Sequence, residues 1–364
     1  MNGKAFVAGR RAAFCQHQSK RSRDGVSIIE VLVTLAIISL LLALTMPALQ
    51  NARASARRVD CRNRLRQLSL AAQQHVSTHR KFPQTSTKYR GRRGKVHESI
   101  SPHARLLPYL EQYSMHQEID WNHVSLDVPG QLPESFHPEP TGTSLSRRAN
   151  ESALRTTISV FLCPSDVQRS GGNNYRACMG YGPGIFGPKS GAICPYPGNA
   201  AGAFVNGRGT RPSEFTDGLS HTILFSEQLI GDNDPGRFTP WTDAFYYQGN
   251  LCTAEEVQQR CGQFAVAAAS HDSYRGTTWL FGSWRQTWYN HVLPPNSNTP
   301  DCSAGGDAMI GGGNGGYSAR SYHTGGVNVA VADGSARFVS ENINRAVWQA
   351  LSTRAGKESV GESF

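Results

Sequence analysis

One apolar stretch constrains this chain more than any other feature. Residues 26–49 read VSIIEVLVTLAIISLLLALTMPAL, and Glu30 is the only formally charged residue among them. About 20 apolar residues, each rising about 1.5 Å, are enough for a helix to cross the hydrocarbon core of a membrane. The stretch therefore predicts a membrane-spanning helix, and it is the one candidate for such a helix in the sequence.

The residues that precede this stretch resemble a processing signal. A basic segment ending KRSRDG meets the apolar run at Gly25, and Glu30 follows five residues later. This arrangement resembles the type III signal of type IV prepilins and type II secretion pseudopilins, which a prepilin peptidase cuts after the glycine. The resemblance implies cleavage between Gly25 and Val26 and methylation of the new amine of Val26. It also implies that Glu30 acts in assembly by pairing with the terminal amine of a neighbouring subunit.

Two physical arguments bear on this signal. Glycine lets the backbone enter a protease site without side-chain strain, which suits Gly25 as the residue before the cut. A carboxylate costs on the order of 2.5–3.5 kcal/mol at mid-bilayer, less near an end, and is rarely left unpaired, so Glu30 predicts a partner. Pilins usually carry Phe after the cut, whereas this chain has Val26. The alternative is an uncleaved signal anchor that tolerates Glu30.

The positive charge is concentrated near the apolar stretch. The net charge is +10, of which residues 1–25 carry +5 and residues 51–95 carry +12, while residues 96–364 carry −6. A nucleic-acid-binding protein places its charge on a folded face with a readout motif, and no such motif occurs. We therefore expect no nucleic-acid partner and predict contacts with anionic lipid headgroups or acidic neighbours from Arg53, Arg57, Arg58, Arg62, Arg64 and Arg66. Because both flanks of the span are positive, they do not fix its orientation.

The remaining pattern predicts the domain organisation. We expect a leader at 1–25, a transmembrane and assembly helix at 26–49, its extramembrane continuation at 50–82, and an extracytoplasmic β-rich domain at 83–364. The continuation should present an apolar stripe and end near Pro83; the stripe comprises Ala52, Ala56, Val59, Leu65, Leu68, Ala72 and Val76. Residues 103–121 predict one or two short helices, and residues 127–150 a surface linker.

Short β-prone runs separated by turn signals follow residue 155. They lie at 156–166, 202–206, 216–227, 277–284 and 327–339. The last is the clearest, because Val327, Val329 and Val331 alternate with smaller or polar residues before an Asp333-Gly334 turn. The expected fold is α+β and pilin-like, with a long N-terminal membrane-spanning helix packed on an antiparallel β-sheet that carries large loop insertions.

The cysteines predict an oxidising compartment. Eight are present, Cys15 falls in the leader, and no pair of matching CxxC motifs indicates a zinc site. Seven remain, so at least one should be unpaired or intermolecular. From the residues alone, the nearest candidate pair is Cys252 with Cys261, although the connectivity cannot be deduced from sequence.

Several ordered motifs resemble one large bacterial family. They are the N-terminal signal, CRNRLRQ from Cys61, LCPSD at 162–166, TDGLSHTIL at 216–224, LPPNS at 293–297 and YHTGGVNVAVADG at 322–334. Together they resemble pilin-like proteins with domain of unknown function 1559, marked by a His, nine residues and Asp-Gly, here His323, Asp333 and Gly334. The resemblance implies an extracytoplasmic pilin-like α+β domain and a disulfide between Cys61 and Cys163. It implies no biochemical activity.

Three chemical readings compete with simple packing. His323 and Asp333, with Ser321 or Ser335, suggest a catalytic group, but no nucleophile elbow is present and a structural His is the better interpretation. Loop carboxylates suit Ca²⁺, although no EF-hand spacing occurs and Asp-Gly turns use Asp for backbone hydrogen bonds; these are Asp166, Asp217, Glu227 and Asp333. Aromatic residues can line a glycan or peptide groove but more often form core; they are Trp279, Trp284, Trp288 and Tyr289, with Trp241, Tyr246 and Tyr247.

These observations favour a structural subunit rather than an enzyme. We expect a prepilin- or pseudopilin-like protein without a required cofactor, in a type II secretion or type IV pilus-like system. Its partners would be the prepilin peptidase, membrane lipids, and copies of itself or other pseudopilins. It would cross the inner membrane once, with its C-terminal domain in the periplasm or outside the cell. The alternative is a membrane-tethered module that binds glycan, peptide or cation and does not polymerise.

Overall fold

The computed structural model divides into two compact units, Met1–Ala52 and Arg53–Phe364. It describes residues 27–87, 99–121, 150–167, 170–182, 201–247, 249, 251–263, 271–304 and 314–358. The predicted leader at 1–25, which contains Cys15 and Gly25, lies outside these residues, and so does Val26. So does nearly all of the predicted linker at 127–150.

The first helix, α1, runs from Ile28 to His79 and continues through Pro47. Its N-terminal part is long and apolar enough to cross a membrane. Every side chain from Ile28 to Leu49 is exposed in the isolated chain, as expected of a segment whose solvent is lipid or a neighbouring helix. The predicted long apolar N-terminal helix is therefore confirmed, and it ends four residues before Pro83.

The C-terminal part of α1, from residue 53 to 79, belongs to the second unit and packs against its other elements. Its buried residues include Cys61, Leu65, Leu68 and Ala72, which join the main hydrophobic core. The first three members of the predicted stripe, Ala52, Ala56 and Val59, are exposed, so the prediction was wrong for them. Fully buried residues of α1 occur only from Cys61 onward, whereas the three- and four-residue periodicity starts earlier.

The elements after α1 are short. The further helices are α2 (Pro102–Leu106), α3 (Tyr113–Glu118), α4 (Glu151–Arg155), α5 (Ala254–Gly262) and α6 (Arg345–Ala350). The strands are β1 (Ser86–Thr87), β2 (Ser99–Ile100), β3 (Tyr175–Cys178), β4 (Ile223–Glu227), β5 (Ala244–Tyr247), β6 (His271–Asp272), β7 (Trp288–Tyr289), β8 (Asp301–Ala304), β9 (Asn314–Gly316), β10 (Gly326–Val331) and β11 (Ala336–Ser340). Helices and strands are mixed along the chain, which confirms the predicted α+β class.

Of the three sheets among the described residues, the two larger ones organise the second unit and neither is purely antiparallel, whereas β1 and β2 form a separate antiparallel pair. The larger has the order β11-β10-β4-β3-β7, and the smaller has the order β6-β5-β8-β9. Most neighbours are antiparallel, but β3 pairs with β7 and β5 with β8 in parallel. The prediction of an antiparallel sheet was thus incomplete, because long connections between these partners let the chain return in the same direction.

The predicted C-terminal hairpin is present. Val327 pairs with Val339 and Val329 with Arg337 across β10 and β11. Gly334 completes the turn at a φ of 95°, a conformation that favours glycine. Ser69 and Gln73 of α1 donate hydrogen bonds to the Val331 and Ala332 carbonyls. These contacts hold the C-terminal part of α1 against the end of β10.

Other local predictions had mixed outcomes. Residues 103–121 form α2, a 3₁₀ turn at Leu107–Leu110 and α3, as expected. In contrast, the runs at 156–166, 202–206 and 277–284 contain a 3₁₀ turn at Ser159–Phe161 and isolated bridges instead of strands. Their apolar residues are nevertheless buried, including Phe161, Phe204 and Trp279. Strands were predicted here because the apolar residues indicate burial, but an irregular segment can also fill a core.

The tryptophan-rich segment forms core and not a groove. Trp279, Trp284, Trp288 and Tyr289 each have 0% of their surface exposed. Trp284 stacks on Tyr317 with ring centroids 4.7 Å apart, and the Trp288 indole donates to the Thr85 hydroxyl at 2.8 Å. These four residues therefore stabilise the second unit by packing, and they are not accessible to a ligand.

Buried histidines should make the protein sensitive to acid. His103 is fully buried, its Nε2 is hydrogen-bonded to the Tyr175 carbonyl, and its Nδ1 has no hydrogen-bond partner among the described residues. Burial lowers the pKa of His103 from 6.5 to about 4. As the pH falls, the unfolded chain therefore takes up a proton at His103 before the folded protein does. The contribution of neutral His103 to the free energy of unfolding is present above pH 6.5 and is lost as the pH falls towards 4.

We expect His103→Gln to reduce the acid sensitivity. Between pH 7 and pH 5, the free energy of unfolding should fall by about 2 kcal/mol less in the variant than in the parent protein. Chemical denaturation of the full chain in detergent micelles at both pH values measures this difference. Asp243, whose pKa burial raises to about 6, acts in the opposite direction but is common to both proteins. An identical pH dependence would contradict the assignment.

Candidate functional site

Segments that are far apart in sequence meet in one buried cluster beside α1. Cys61 lies on α1, Cys163 belongs to LCPSD, Glu227 ends β4, and His323 precedes β10. One side-chain N, O or S atom from each of these four residues lies within 4.8 Å of the others, and all four side chains are buried. The two sulfur atoms are bonded to each other, so neither is a thiolate that could bind a metal ion. The fold thus brings several of the sequence motifs to a single place.

His323 is held by a carboxylate and lies against the disulfide. Its Nε2 is 3.2 Å from Glu227 Oε1 and 3.7 Å from Cys163 Sγ. Glu227 also accepts from the Asn328 backbone at 2.7 Å and from the Asn328 side chain at 2.9 Å. Because a buried carboxylate is costly without donors, this network stabilises Glu227 and connects the end of β4 to β10.

The segment before β10 is shaped by local hydrogen bonds. The Ser321 hydroxyl accepts from the His323 backbone at 3.1 Å and donates to the Gly326 carbonyl at 2.8 Å. Asn296, from LPPNS, accepts from the Ser321 backbone at 2.9 Å. Gly325 has a φ of 87°, which a side chain would make unfavourable. The LPPNS and YHTGG motifs therefore cooperate in placing the His323 ring.

The structure contains the disulfide that the family resemblance implied. Cys61 and Cys163 are bonded, with Cα atoms 5.2 Å apart and a sequence separation of 102. Arg64, one turn further along α1, donates hydrogen bonds to the Ser159 and Leu162 carbonyls. The disulfide and these bonds fix the LCPSD segment to α1.

The proposed pairing of Cys252 with Cys261 was wrong. Cys261 is bonded to Cys302, with Cα atoms 6.0 Å apart, and Cys252 is in another disulfide. Cys261 lies in the last turn of α5, which begins two residues after Cys252, and the seven residue steps from Ala254 to Cys261 rise roughly 10 Å, too far for a disulfide. Among the described residues, Cys178 is an unpaired, buried thiol, as the odd count predicted. Burial raises its pKa to about 12, so it is a poor nucleophile at neutral pH.

The four acidic residues considered for Ca²⁺ do not form one ligand set. Asp217 accepts from the Gly356 and Lys357 backbones at 2.7 and 3.0 Å, and Asp333 accepts from the Ser335 backbone at 2.9 Å. Asp166 accepts from the Ile230 backbone at 2.8 Å, and with Glu227 it lines a cavity of about 10 Å³. That volume suits a single water, and these contacts are typical of carboxylates that fix loops.

His323 and Asp333 do not form a catalytic pair. They lie at opposite ends of β10, which is six residues long and therefore spans about 17–20 Å. Asp333 is exposed in the hairpin turn, whereas His323 is buried against Glu227. The carboxylate partner of His323 is thus one that the His-to-Asp spacing in sequence did not indicate.

Loss of the His323 ring should destabilise the second unit. We expect His323→Leu to lower the free energy of unfolding by about 1–3 kcal/mol, because Glu227 loses a buried donor. Thermal and chemical denaturation of the full chain measure the change. The matched variant Thr324→Ala alters the exposed neighbouring residue and should change stability by less than about 0.5 kcal/mol. Equal effects of the two substitutions would argue against a structural role for His323.

Comparison with known families agrees with the sequence motifs. Residues 20–46 match the prokaryotic N-terminal methylation motif. Residues 50–346, more than half of the 364, match the family described as protein of unknown function (DUF1559). No curated protein and no solved structure matches the chain. The chain is therefore a member of the DUF1559 family that carries a prokaryotic N-terminal methylation motif.

Proposed function

We propose that the protein is a non-enzymatic structural subunit, pilin- or pseudopilin-like, of a type II secretion or type IV pilus-like system. The observation that carries this proposal is the methylation motif at residues 20–46, which overlaps the start of a long, exposed, apolar helix. A helix with an apolar surface on all sides needs lipid or other helices around it. Lateral packing of such helices is how a pilin-like subunit assembles.

In this proposal the leader at 1–25 stays in the cytoplasm until a prepilin peptidase cuts between Gly25 and Val26. Residues 26–49 then anchor the subunit in the inner membrane and pack against other subunits, and 50–82 continue the helix beyond the bilayer. The β-rich domain at 83–364 lies in the periplasm or outside the cell. The disulfides Cys61–Cys163 and Cys261–Cys302 support an oxidising compartment for this domain.

Processing is the direct test. The full chain is expressed with and without a prepilin peptidase, and the membrane fraction is analysed by intact mass and N-terminal sequencing. With the peptidase we expect a chain that begins at methylated Val26; without it, all residues of the leader should remain. If the leader were retained in the presence of an active peptidase, the alternative of an uncleaved signal anchor would be the correct interpretation.

Glu30 provides a second test, of assembly itself. It is exposed in the first turn of α1, where a carboxylate in hydrocarbon requires a partner. We expect Glu30→Ala to lower the assembled fraction, measured by cross-linking in membranes, at least tenfold without changing processing or the two disulfides. Thr34→Ala, an exposed substitution one turn further on, is the matched control. Unaltered assembly of the Glu30 variant would contradict the proposed pairing of Glu30 with the terminal amine of a neighbouring subunit.

A further inference from the structure

The buried cluster beside α1 has a second chemical state, in which its disulfide is reduced. One side-chain atom from each of four buried residues lies within 4.8 Å of the others, and these residues are Cys61, Cys163, Glu227 and His323. The two sulfur atoms are bonded to each other in this structure. Chains destined for an oxidising compartment are nevertheless synthesised where thiols are kept reduced. The four residues therefore occur first with two thiols and only later with a disulfide.

The distances in the cluster match those between the ligands of a tetrahedral zinc ion. Zinc lies about 2.3 Å from sulfur and about 2.0–2.2 Å from nitrogen and oxygen, which places a ligand nitrogen about 3.4 Å from oxygen and about 3.6 Å from sulfur. His323 Nε2 is 3.2 Å from Glu227 Oε1 and 3.7 Å from Cys163 Sγ. The Cα atoms of Cys61 and Cys163 are 5.2 Å apart, so side-chain rotation after reduction is enough to bring both sulfurs to one ion.

The types of ligand favour zinc over a hard cation. Thiolate, imidazole and carboxylate groups together are typical of Zn²⁺, whereas Ca²⁺ and Mg²⁺ prefer oxygen alone. Two thiolates and one carboxylate also compensate the charge of the buried ion. Glu227 is already oriented by the Asn328 backbone at 2.7 Å and the Asn328 side chain at 2.9 Å. Such outer hydrogen bonds hold a ligating carboxylate in place.

We propose that the reduced chain binds one Zn²⁺ ion through four ligands, which are Cys61, Cys163, Glu227 and His323. The ion holds the LCPSD segment, β4 and the segment before β10 to α1 until the disulfide replaces it. In that exchange the two thiolates give two electrons to an external disulfide, whose sulfurs take up two protons and leave as thiols, and Zn²⁺ is released as the Cys61–Cys163 bond forms. The proposal is independent of helix assembly, because all four residues lie in the second unit.

The test is zinc binding by the full chain in detergent micelles. The protein is reduced with a phosphine, which is then removed, and Zn²⁺ is titrated in competition with a chromophoric zinc chelator. We expect the reduced chain to bind Zn²⁺ at least about a hundredfold more tightly than the oxidised chain, because only thiolates are ligands. Co²⁺ in place of Zn²⁺ should give the visible absorption of a tetrahedral site with thiolate ligands.

Variants of the ligands are compared in the reduced state, where no crosslink is lost. Cys163→Ser and His323→Leu should each weaken zinc binding at least about tenfold. The matched control replaces both Cys261 and Cys302 with serine, which removes the thiols of the other disulfide and should leave this zinc affinity unchanged. Circular dichroism of each reduced variant establishes that it is folded. If His323→Leu fails to fold, Cys61→Ser tests the same site.

Bound zinc should also slow the formation of the disulfide. With oxidised glutathione as the external disulfide, the Cys61–Cys163 bond should form at least about tenfold more slowly in the presence of Zn²⁺, because the ion holds the attacking thiolates. Non-reducing peptide mapping over time measures this rate. Equal rates with and without Zn²⁺ would contradict the proposal.

Three results of the titrations overturn the proposal. Absence of saturable binding by the reduced chain would eliminate the site. Equally tight binding by the oxidised chain would place the ligands elsewhere. Loss of binding in the variant at Cys261 and Cys302, together with unchanged binding in Cys163→Ser, would assign the ion to other thiols.

Discussion

Replacing both Cys61 and Cys163 with alanine is expected to lower the free energy of unfolding by about 5 kcal/mol. The bond joins residues separated by 102 positions, and in the chain-entropy model a crosslink that closes about 100 residues contributes about 4.7 kcal/mol. Urea denaturation of the full chain in micelles, under non-reducing conditions, measures the difference. A loss of this size is a large fraction of the stability of an ordinary domain.

Two other cysteine variants serve as controls. The Cys261–Cys302 bond has a sequence separation of 41, so its removal should cost about 4 kcal/mol in the same model. Cys178→Ala removes a buried thiol without opening a loop and should cost about 1 kcal/mol. We expect the double variant at Cys61 and Cys163 to be the least stable of the three. If it lost no more stability than Cys178→Ala, the bond would not constrain the unfolded chain.

The parts of the fold that were predictable depend on local signals. The apolar run at 26–49 requires a helix, and the alternation before Asp333-Gly334 requires a hairpin, whatever the rest of the chain does. The strands β3 and β8 were missed because both carry charged residues into the core. Arg176 and Asp301 are fully buried, so neither strand shows the apolar pattern from which a strand is predicted.

The candidate sites are formed by contacts between residues that are far apart in the chain, and the spacing of residues in the sequence does not predict such contacts. The Cys61–Cys163 bond was predicted only from the family resemblance. His323 was considered with Asp333 because they share a motif, yet its partner is Glu227 at the end of another strand.

Asp301→Asn is expected to destabilise the protein by about 3–5 kcal/mol, because it leaves two buried arginines without a counter-ion. Asp301 accepts from Arg275 at 2.6 Å and from Arg320 at 3.1 Å, and all three side chains are at most 2% exposed. Burial by itself raises the pKa of Asp301, but the two arginines more than compensate and hold it below its usual value. Denaturant unfolding at pH 7 measures the loss. The same substitution at exposed Asp333, Asp333→Asn, is the matched control and should cost less than about 1 kcal/mol.

The lost charge can be separated from the lost hydrogen bonds by a second variant. Replacing Asp301, Arg275 and Arg320 together with apolar residues of similar volume removes this carboxylate and both arginines that donate to it, while the buried Arg176 nearby remains. Because burying ions is costly, such replacements are often neutral or stabilising by about 1–4 kcal/mol relative to the intact cluster. We therefore expect the triple variant to be more stable than Asp301→Asn, although it makes fewer hydrogen bonds. If the triple variant were instead the less stable of the two, the hydrogen bonds that it removes would outweigh the cost of burying the charges. These include the bonds from Arg320 to the Ser297 and Thr299 carbonyls and the bonds to Asp301 from Gln228 and Ser318.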